Sequence, residues 1–531
     1  MPPGLAEIMQ PGTPQYPHSG QRQIPNHPVS HMGMPPGMTY VVPKIKPLTP
    51  PPTNLQMARP SRPWRMYGRV VGLVILLFLF EIFVFEGWLF ALYYGDTLTG
   101  SITLLCSIPI LLCVVAIRRP RAVLLERAVP DATGQQMHVI STQPGSLQTP
   151  MPTRFDRHLL RDDSILDVPS SMASWIVFGV TVLCSGGLWY MIYAGDMGAQ
   201  IIAVLLLIPA IIIGFSIPVM GWWSHSTKRI GLPTRRRDAE SWLMAGILSA
   251  LPALFINSII FPEFVLAIYP SISPEGLNQL GAVISAPVGE EICKGAAILA
   301  FASKIRSPKH GFQIGFTVGL GFAILENLMY IASSAGFPIT MLIRGIGSIP
   351  GHAIWTGLTG AAIGWTMMQK RAQSLHNAAQ RGLPIEAPES QKTNWKLIDE
   401  KTGQVIDATN QMDKAGVTVN SAGYEIWTPH QPTLTKEPWI RIPLPKNITV
   451  GLILAMIGHA SWNGTLTIFE IISENMGLSD GVFLILQLLI VIVMIAFVWI
   501  IGTGLLHSVR EAPDGREVDE YQQTLSTMNY Q

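Results

Sequence analysis

Ten apolar stretches alternate with shorter polar connections along the chain: 70–94, 98–117, 173–194, 199–217, 239–262, 278–303, 312–332, 338–367, 447–473 and 481–506. A helix needs about 20 apolar residues to cross the hydrocarbon core of a bilayer. The pattern therefore predicts an all-α polytopic membrane protein of about ten transmembrane helices. Residues 1–63 carry 16 prolines and no apolar periodicity. Such a segment cannot bury a core, and it is expected to be a disordered, proline-rich cytoplasmic tail. Residues 368–446 begin as a polar helix-like run through Ala379. They then read Trp395-Lys-Leu-Ile, Gln404-Val-Ile and Tyr424-Glu-Ile-Trp427, short pieces that predict a small cytoplasmic β-rich insertion. Residues 507–531 are expected to form a cytoplasmic tail.

The first four spans look duplicated. Tyr93-Tyr-Gly95-Asp96 is matched by Tyr193-Ala-Gly195-Asp196, and Ile108-Pro109 by Ile208-Pro209, each pair 100 positions apart. Two tandem helical hairpins over 70–217, each closed by a Gly-Asp turn, explain the repeat. They lack the polar clusters described below, so a scaffold or partner-binding role is expected of them. Glu81 and Glu86 are charged exceptions in the first span, facing either the bundle interior or water.

Composition supports the membrane reading. The chain is 48% hydrophobic and 13% charged, with mean hydropathy +0.34. Soluble chains average about 25% charged residues. The net charge of +2, without any basic tract interleaved with aromatics, gives no footprint for nucleic acid. Cys106, Cys113, Cys184 and Cys293 all fall in apolar runs without zinc spacing, and read as reduced thiols in lipid. The proline-rich opening is not a signal-peptide pattern, so the first span is expected to direct insertion.

Lys and Arg sort to alternate connections. One set holds Arg62, Arg65, Arg69; Arg118, Arg119, Arg121; Lys228, Arg229, Arg235, Arg236, Arg237; Lys304, Arg306, Lys309; and Lys370, Arg371. The intervening connections (95–97, 195–198, 263–277, 333–337, 474–480) hold none. Basic loops stay in the cytoplasm, which predicts an even number of spans with both termini cytoplasmic.

Four polar clusters lie within spans six to nine: Glu290-Glu291-Ile-Cys-Lys294, Glu326-Asn327, His352, and His459 with Asn463. A charge at the bilayer centre is expensive, so such residues mark function or a structural pairing. Glu290 and Lys294 are four apart on one helical face, and a lysine beside two carboxylates lowers the burden of burying them and keeps one ionised as a base. At ~1.5 Å per residue, Glu290, His352 and His459 lie roughly 18–21 Å below the outer face and Glu326 about 9 Å. Each cluster has a structural alternative, an ion pair or an interhelical clamp. Four spans that place acids and imidazoles in the same half of the membrane point instead to a hydrolytic centre.

Glu290-Glu291-Ile-Cys-Lys294 resembles the EExxK motif of the PrsW family of intramembrane proteases. Phe322-Ala-Ile-Leu-Glu326 resembles its FxxxE motif, and His352 and His459 resemble its histidines. His459-Ala-Ser-Trp-Asn463 also fits the HxxxN pattern of the related CAAX prenyl proteases, although Lys294 and Glu326 stand where those enzymes have Arg and His. The similarity covers roughly 239–473, within a membrane core of 239–506. It implies hydrolysis of a peptide bond in a membrane-anchored protein, such as an anti-sigma factor, in a bacterial plasma membrane. By that resemblance Glu290 or Glu291 activates water, and His352, His459 and Asn463 hold it or stabilise the oxyanion. Lys294 compensates charge, and Glu326 orients a histidine. The cofactor is either none or a divalent metal such as zinc, held by Glu290, Glu326, His352 and His459. An ion-coupled transporter and a non-catalytic scaffold are the competing readings.

Overall fold

The computed structural model describes residues 62–119, 122–139, 146–161, 166–232, 234–334, 336–385 and 440–528, with short strand pieces between 397 and 427. The proline-rich tail expected over 1–63 lies outside them, apart from its last two residues. Among the described residues, eight helical stretches are long and apolar enough to cross a membrane, and the chain is a multi-pass helical membrane protein.

Two hairpins come first: α1 (Pro63–Tyr93) with α2 (Thr97–Ile117), and α3 (Ser171–Ala194) with α4 (Met197–Ile230). The repeated Gly-Asp turn acts alike in both. Asp96 caps α2 by accepting from the Thr99 amide, and Asp196 caps α4 by accepting from the Ala199 amide. An N-cap carboxylate satisfies a backbone donor that the helix itself leaves unpaired. Gly95 sits at φ +67°, where a side chain would be strained, whereas Gly195 is extended.

The stretch between α2 and α3 forms a long antiparallel ribbon of β1 (Ala122–Val139) and β2 (Ser146–Arg161). Ala122 stands opposite Arg161 and Val139 opposite Ser146, with register shifts around Pro130 and Gln135. Burial alternates near the end of β2, where His158 and Leu160 are buried and Leu159 is exposed. The expected insertion shows two small hairpins, β3 (Leu397–Ile398) with β4 (Val405–Ile406) and β5 (Val417–Val419) with β6 (Glu425–Trp427).

The remaining helices build the core. α5 (Arg236–Phe255) runs through a π-helical turn (Ile256–Ile260) into α6 (Phe261–Ile268). α7 (Pro274–Leu280) runs through another (Gly281–Ser285) into α8 (Ala286–Leu299). α9 (Pro308–Ser333) follows, then α10 (Phe337–Ile343), which passes through a third π-turn (Arg344–Ser348) into α11 (Ile349–Gln380). α12 (Ile448–Asn475), α13 (Asp480–Glu511) and α14 (Arg516–Met528) close the chain. Two of the ten expected spans, α7–α8 and α10–α11, are not among the eight apolar ones. They carry Glu290, Glu291, Lys294, Arg344 and His352; the first three and His352 are buried inside the protein, and Arg344 is half-buried.

A glycine seam joins α9 to α11. A methyl group on Gly315 would strike the Thr356 carbonyl, one on Gly319 the His352 carbonyl, and one on Gly360 the Gly311 carbonyl. Small residues at such spacing let helix backbones touch. The seam presses the backbone of His352 against α9 one to two turns before Glu326.

The basic ends of several helices are tied together. Arg69 Nε donates to Glu240 Oε1 at 2.7 Å and its Nη2 to the Ile117 carbonyl at 2.9 Å. Arg118 Nη2 reaches Ser241 Oγ at 2.6 Å. The C-terminal tail is helical, and Asp519 and Gln522 of α14 hold Arg371 on the polar extension of α11.

Candidate active site

Glu290, Glu291 and Lys294 project from one face of α8, all buried. Lys294 Nζ lies 2.8 Å from Glu291 Oε1 and 3.4 Å from Glu290 Oε2. It is also 2.9 Å from His352 Nδ1 on α11 and 3.9 Å from the centre of the Phe322 ring. An ammonium has only donors. His352 Nδ1 must therefore accept, which leaves the ring proton on Nε2, 2.6 Å from Glu326 Oε2 on α9.

His459 of α12 completes the centre. Its Nδ1 is hydrogen-bonded to Glu291 Oε1 at 3.2 Å. A carboxylate only accepts, so Nδ1 carries a proton, and in the neutral ring Nε2 holds a lone pair. That Nε2 stands 3.8 Å from Glu290 Oε2. The two imidazoles meet edge to face with ring centres 4.8 Å apart.

The two neighbouring glutamates thus have different surroundings. Glu291 is 1% exposed and closed in: besides Lys294 and His459, Thr356 Oγ1 donates to its Oε2 at 3.3 Å. Glu290 has longer contacts, the shortest at 3.4 Å, and Asn257 Nδ2 lies 3.5 Å from its Oε1. It also borders an apolar cavity of about 680 Å³. Glu326 and Tyr330 line the same cavity, with Phe322, Leu325 and residues of α1, α5, α6 and α7.

The structure brings Glu290, Glu291, Lys294, Glu326, His352 and His459 together. Although residue counting places Glu326 higher than the other three, its Oε2 lies 2.6 Å from His352 Nε2. Asn463 stands apart: its amide nitrogen donates to the Ala282 carbonyl at 3.0 Å rather than to an imidazole. Ala282 lies in the π-turn before α8 and lines the cavity, so Asn463 anchors that turn to α12.

Several partners escape the sequence reading. Arg344 Nη2 is 2.9 Å from Glu326 Oε2, its Nε donates to Asn327 Oδ1 at 2.5 Å, and its guanidinium covers the Tyr330 ring at 4.0 Å. Ser285 donates to Asn257 Oδ1 at 2.8 Å, behind Glu290. Arg344, Asn257 and Ser285 all sit in π-turns, which are frequent at functional sites. An arginine inside an apolar span, two helical turns before His352, is the signal that identifies Arg344.

Glu290, His352 and His459 each offer a ligand atom, and these atoms lie within 4.8 Å of one another. One carboxylate and two imidazoles are a donor set used for catalytic zinc, so the residues fit a divalent metal. His352 would offer Nδ1, for which the metal would compete with Lys294. Its Nε2 would keep the carboxylate partner that metal-bound histidines usually carry. Glu326, engaged with Arg344 and His352, is better placed for that outer role than as a ligand.

Residues 240–385 match the family model of the PrsW family intramembrane metalloproteases. That segment, which contains α8, α9 and His352, is similar to this protease family; His459 lies beyond it and joins by geometry. Neither curated proteins nor solved structures gave a match.

Proposed function

We propose that this protein is an intramembrane endopeptidase that hydrolyses a peptide bond in a membrane-spanning protein segment held in the apolar cavity. The observation that carries this reading is the division between Glu290 and Glu291. Glu291 is fully engaged and fixes both Lys294 and His459. Glu290 faces the cavity with longer contacts, and beside it stands an imidazole nitrogen with a free lone pair.

Glu290 is the general base. A solvent molecule between its carboxylate and His459 Nε2 gives up a proton to Glu290 as its oxygen attacks the scissile carbonyl. Proton transfer by a positioned carboxylate contributes about 10²–10⁴-fold. Lys294, held between the two glutamates and against His352 Nδ1, presents positive charge near the developing oxyanion. Glu290 then returns its proton to the leaving amine. Glu326 and Arg344 are positioning residues that fix the His352 ring. A divalent metal held by Glu290, His352 and His459 would polarise the carbonyl and make its water more acidic.

The gathered basic ends of α1, α2 and α5 support a cytoplasmic placement of both termini. The substrate is then a membrane-anchored protein of a plasma membrane, the anti-sigma-factor type being one that the family implies. A terminal proteomic comparison of cells expressing wild type or Glu290→Gln tests the reading. New chain ends inside membrane segments, present only with wild type, support it. Identical sets of chain ends contradict it.

A further inference from the structure

The cavity beside Glu290 has a third carboxylate in its wall, one that the hydrolytic centre does not use. Glu81 sits on α1, in the first hairpin and outside the stretch that matches the protease family. Its side chain is 4% exposed, and neither carboxylate oxygen has a hydrogen-bond partner among the described residues. It nevertheless lines the same cavity as Glu290 and Glu326. The side chains near it in that wall, Phe78, Ile82 and Phe85, are apolar. The two other carboxylates of the cavity are engaged, Glu290 by Lys294 and Glu326 by Arg344.

A buried carboxyl group without a partner is rare in a folded protein, and each case asks for an explanation. Packing does not supply one, since a leucine would fill the same space among phenylalanines without the desolvation. A ligand that enters the cavity does. Resting on the endopeptidase reading, we infer that Glu81 is a specificity subsite. It accepts a hydrogen bond from a donor side chain of the substrate's membrane segment, at a fixed register from the scissile bond. Such a donor is itself unsatisfied in lipid, so the pairing relieves two stranded polar groups at once. Sites that hydrogen-bond a substrate group discriminate against analogues that lack it, because their own polar atoms are left unpaired. The first hairpin then does more than support the core, since it reads the substrate.

The test uses the full-length protein in liposomes with single-span peptides that share one leucine-alanine segment. One guest residue, Leu, Asn or Lys, is walked along the segment. Wild type is expected to cleave Asn or Lys guests about three- to tenfold faster in kcat/KM than Leu at one register only, the range of one net hydrogen bond. Glu81→Leu is expected to bring that ratio to near one, whereas Glu81→Gln keeps the preference for Asn and loses that for Lys. A register-dependent preference that survives Glu81→Leu would overturn the proposal, and so would a wild type indifferent to the guest at every register. The wild-type scan and Glu81→Gln decide the matter if Glu81→Leu fails to fold. Guest-independent cleavage that Glu290→Gln abolishes would sink the Glu81 subsite alone. Absence of cleavage of every peptide by wild type would remove the endopeptidase reading and the subsite with it.

Discussion

α9 and α13 are both apolar enough to cross a membrane, yet they live in different solvents. Of the most apolar part of α9, 78% is buried inside the protein; for α13 and its continuation the figure is 11%. α13 presents Ile485, Ile492 and Phe497 outward, and any apolar residue would serve there. α9 carries Gly311, Gly315 and Gly319 against α11 and then Glu326 in the centre. In lipid, apolar burial does not drive helices together; close backbone packing and polar contacts do. The helices that hold the chemistry are therefore those with small and charged residues, and the most hydrophobic ones are the least involved.

That contrast can be broken by substitution. Lys294→Met would leave Glu290 and Glu291 buried with a cation removed, a loss of about 3–5 kcal/mol. Unfolding in detergent should show a markedly lower Tm, and an unchanged Tm would mean the carboxylates are not compensated by Lys294. Arg344→Ala frees Glu326 and through it His352. Loss of such a positioning contact lowers activity about 10- to 100-fold, and it should appear in kcat for a single-span peptide with KM little changed. Gly319→Val forces apart the seam between α9 and α11, at about 1–3 kcal/mol for overpacking. Denaturation should detect this together with a drop in cleavage. Ile485→Ala on the outer face of α13 should move stability by no more than about 0.5 kcal/mol. A large loss there would mean that α13 is covered by protein and not by lipid.

The spans were legible because a bilayer imposes length and apolarity on each helix separately. The polar clusters were legible because Glu290, His352 and His459 stand out against apolar neighbours. What could not be read was the division of labour between Glu290 and Glu291. It depends on which side chain turns toward Thr356 and which toward the cavity, a matter of how α8, α11 and α12 rotate about their axes. Asn463 illustrates the same limit: four residues from His459, it shares a helical face with it, yet its amide bonds the Ala282 carbonyl of a neighbouring helix. Arg344 is legible as an arginine inside an apolar span, whereas Asn257 is uncharged and sits in a π-turn that shifts the helical phase spacing arguments assume.

The central claim is that Glu290, set beside His459 Nε2 at the cavity wall, activates water to cut a bond inside a membrane-spanning segment. The most direct measurement is cleavage of a single-span peptide by the purified full-length protein in liposomes made up in ¹⁸O-water, with the products mapped by mass spectrometry. One new carboxyl terminus within the apolar segment, carrying one heavy oxygen, is the expected product. Glu290→Gln is expected to slow its appearance by about 10²–10⁴-fold while the protein remains folded. Cleavage that is equally fast in Glu290→Gln, or that falls only outside the apolar segment, would contradict the claim.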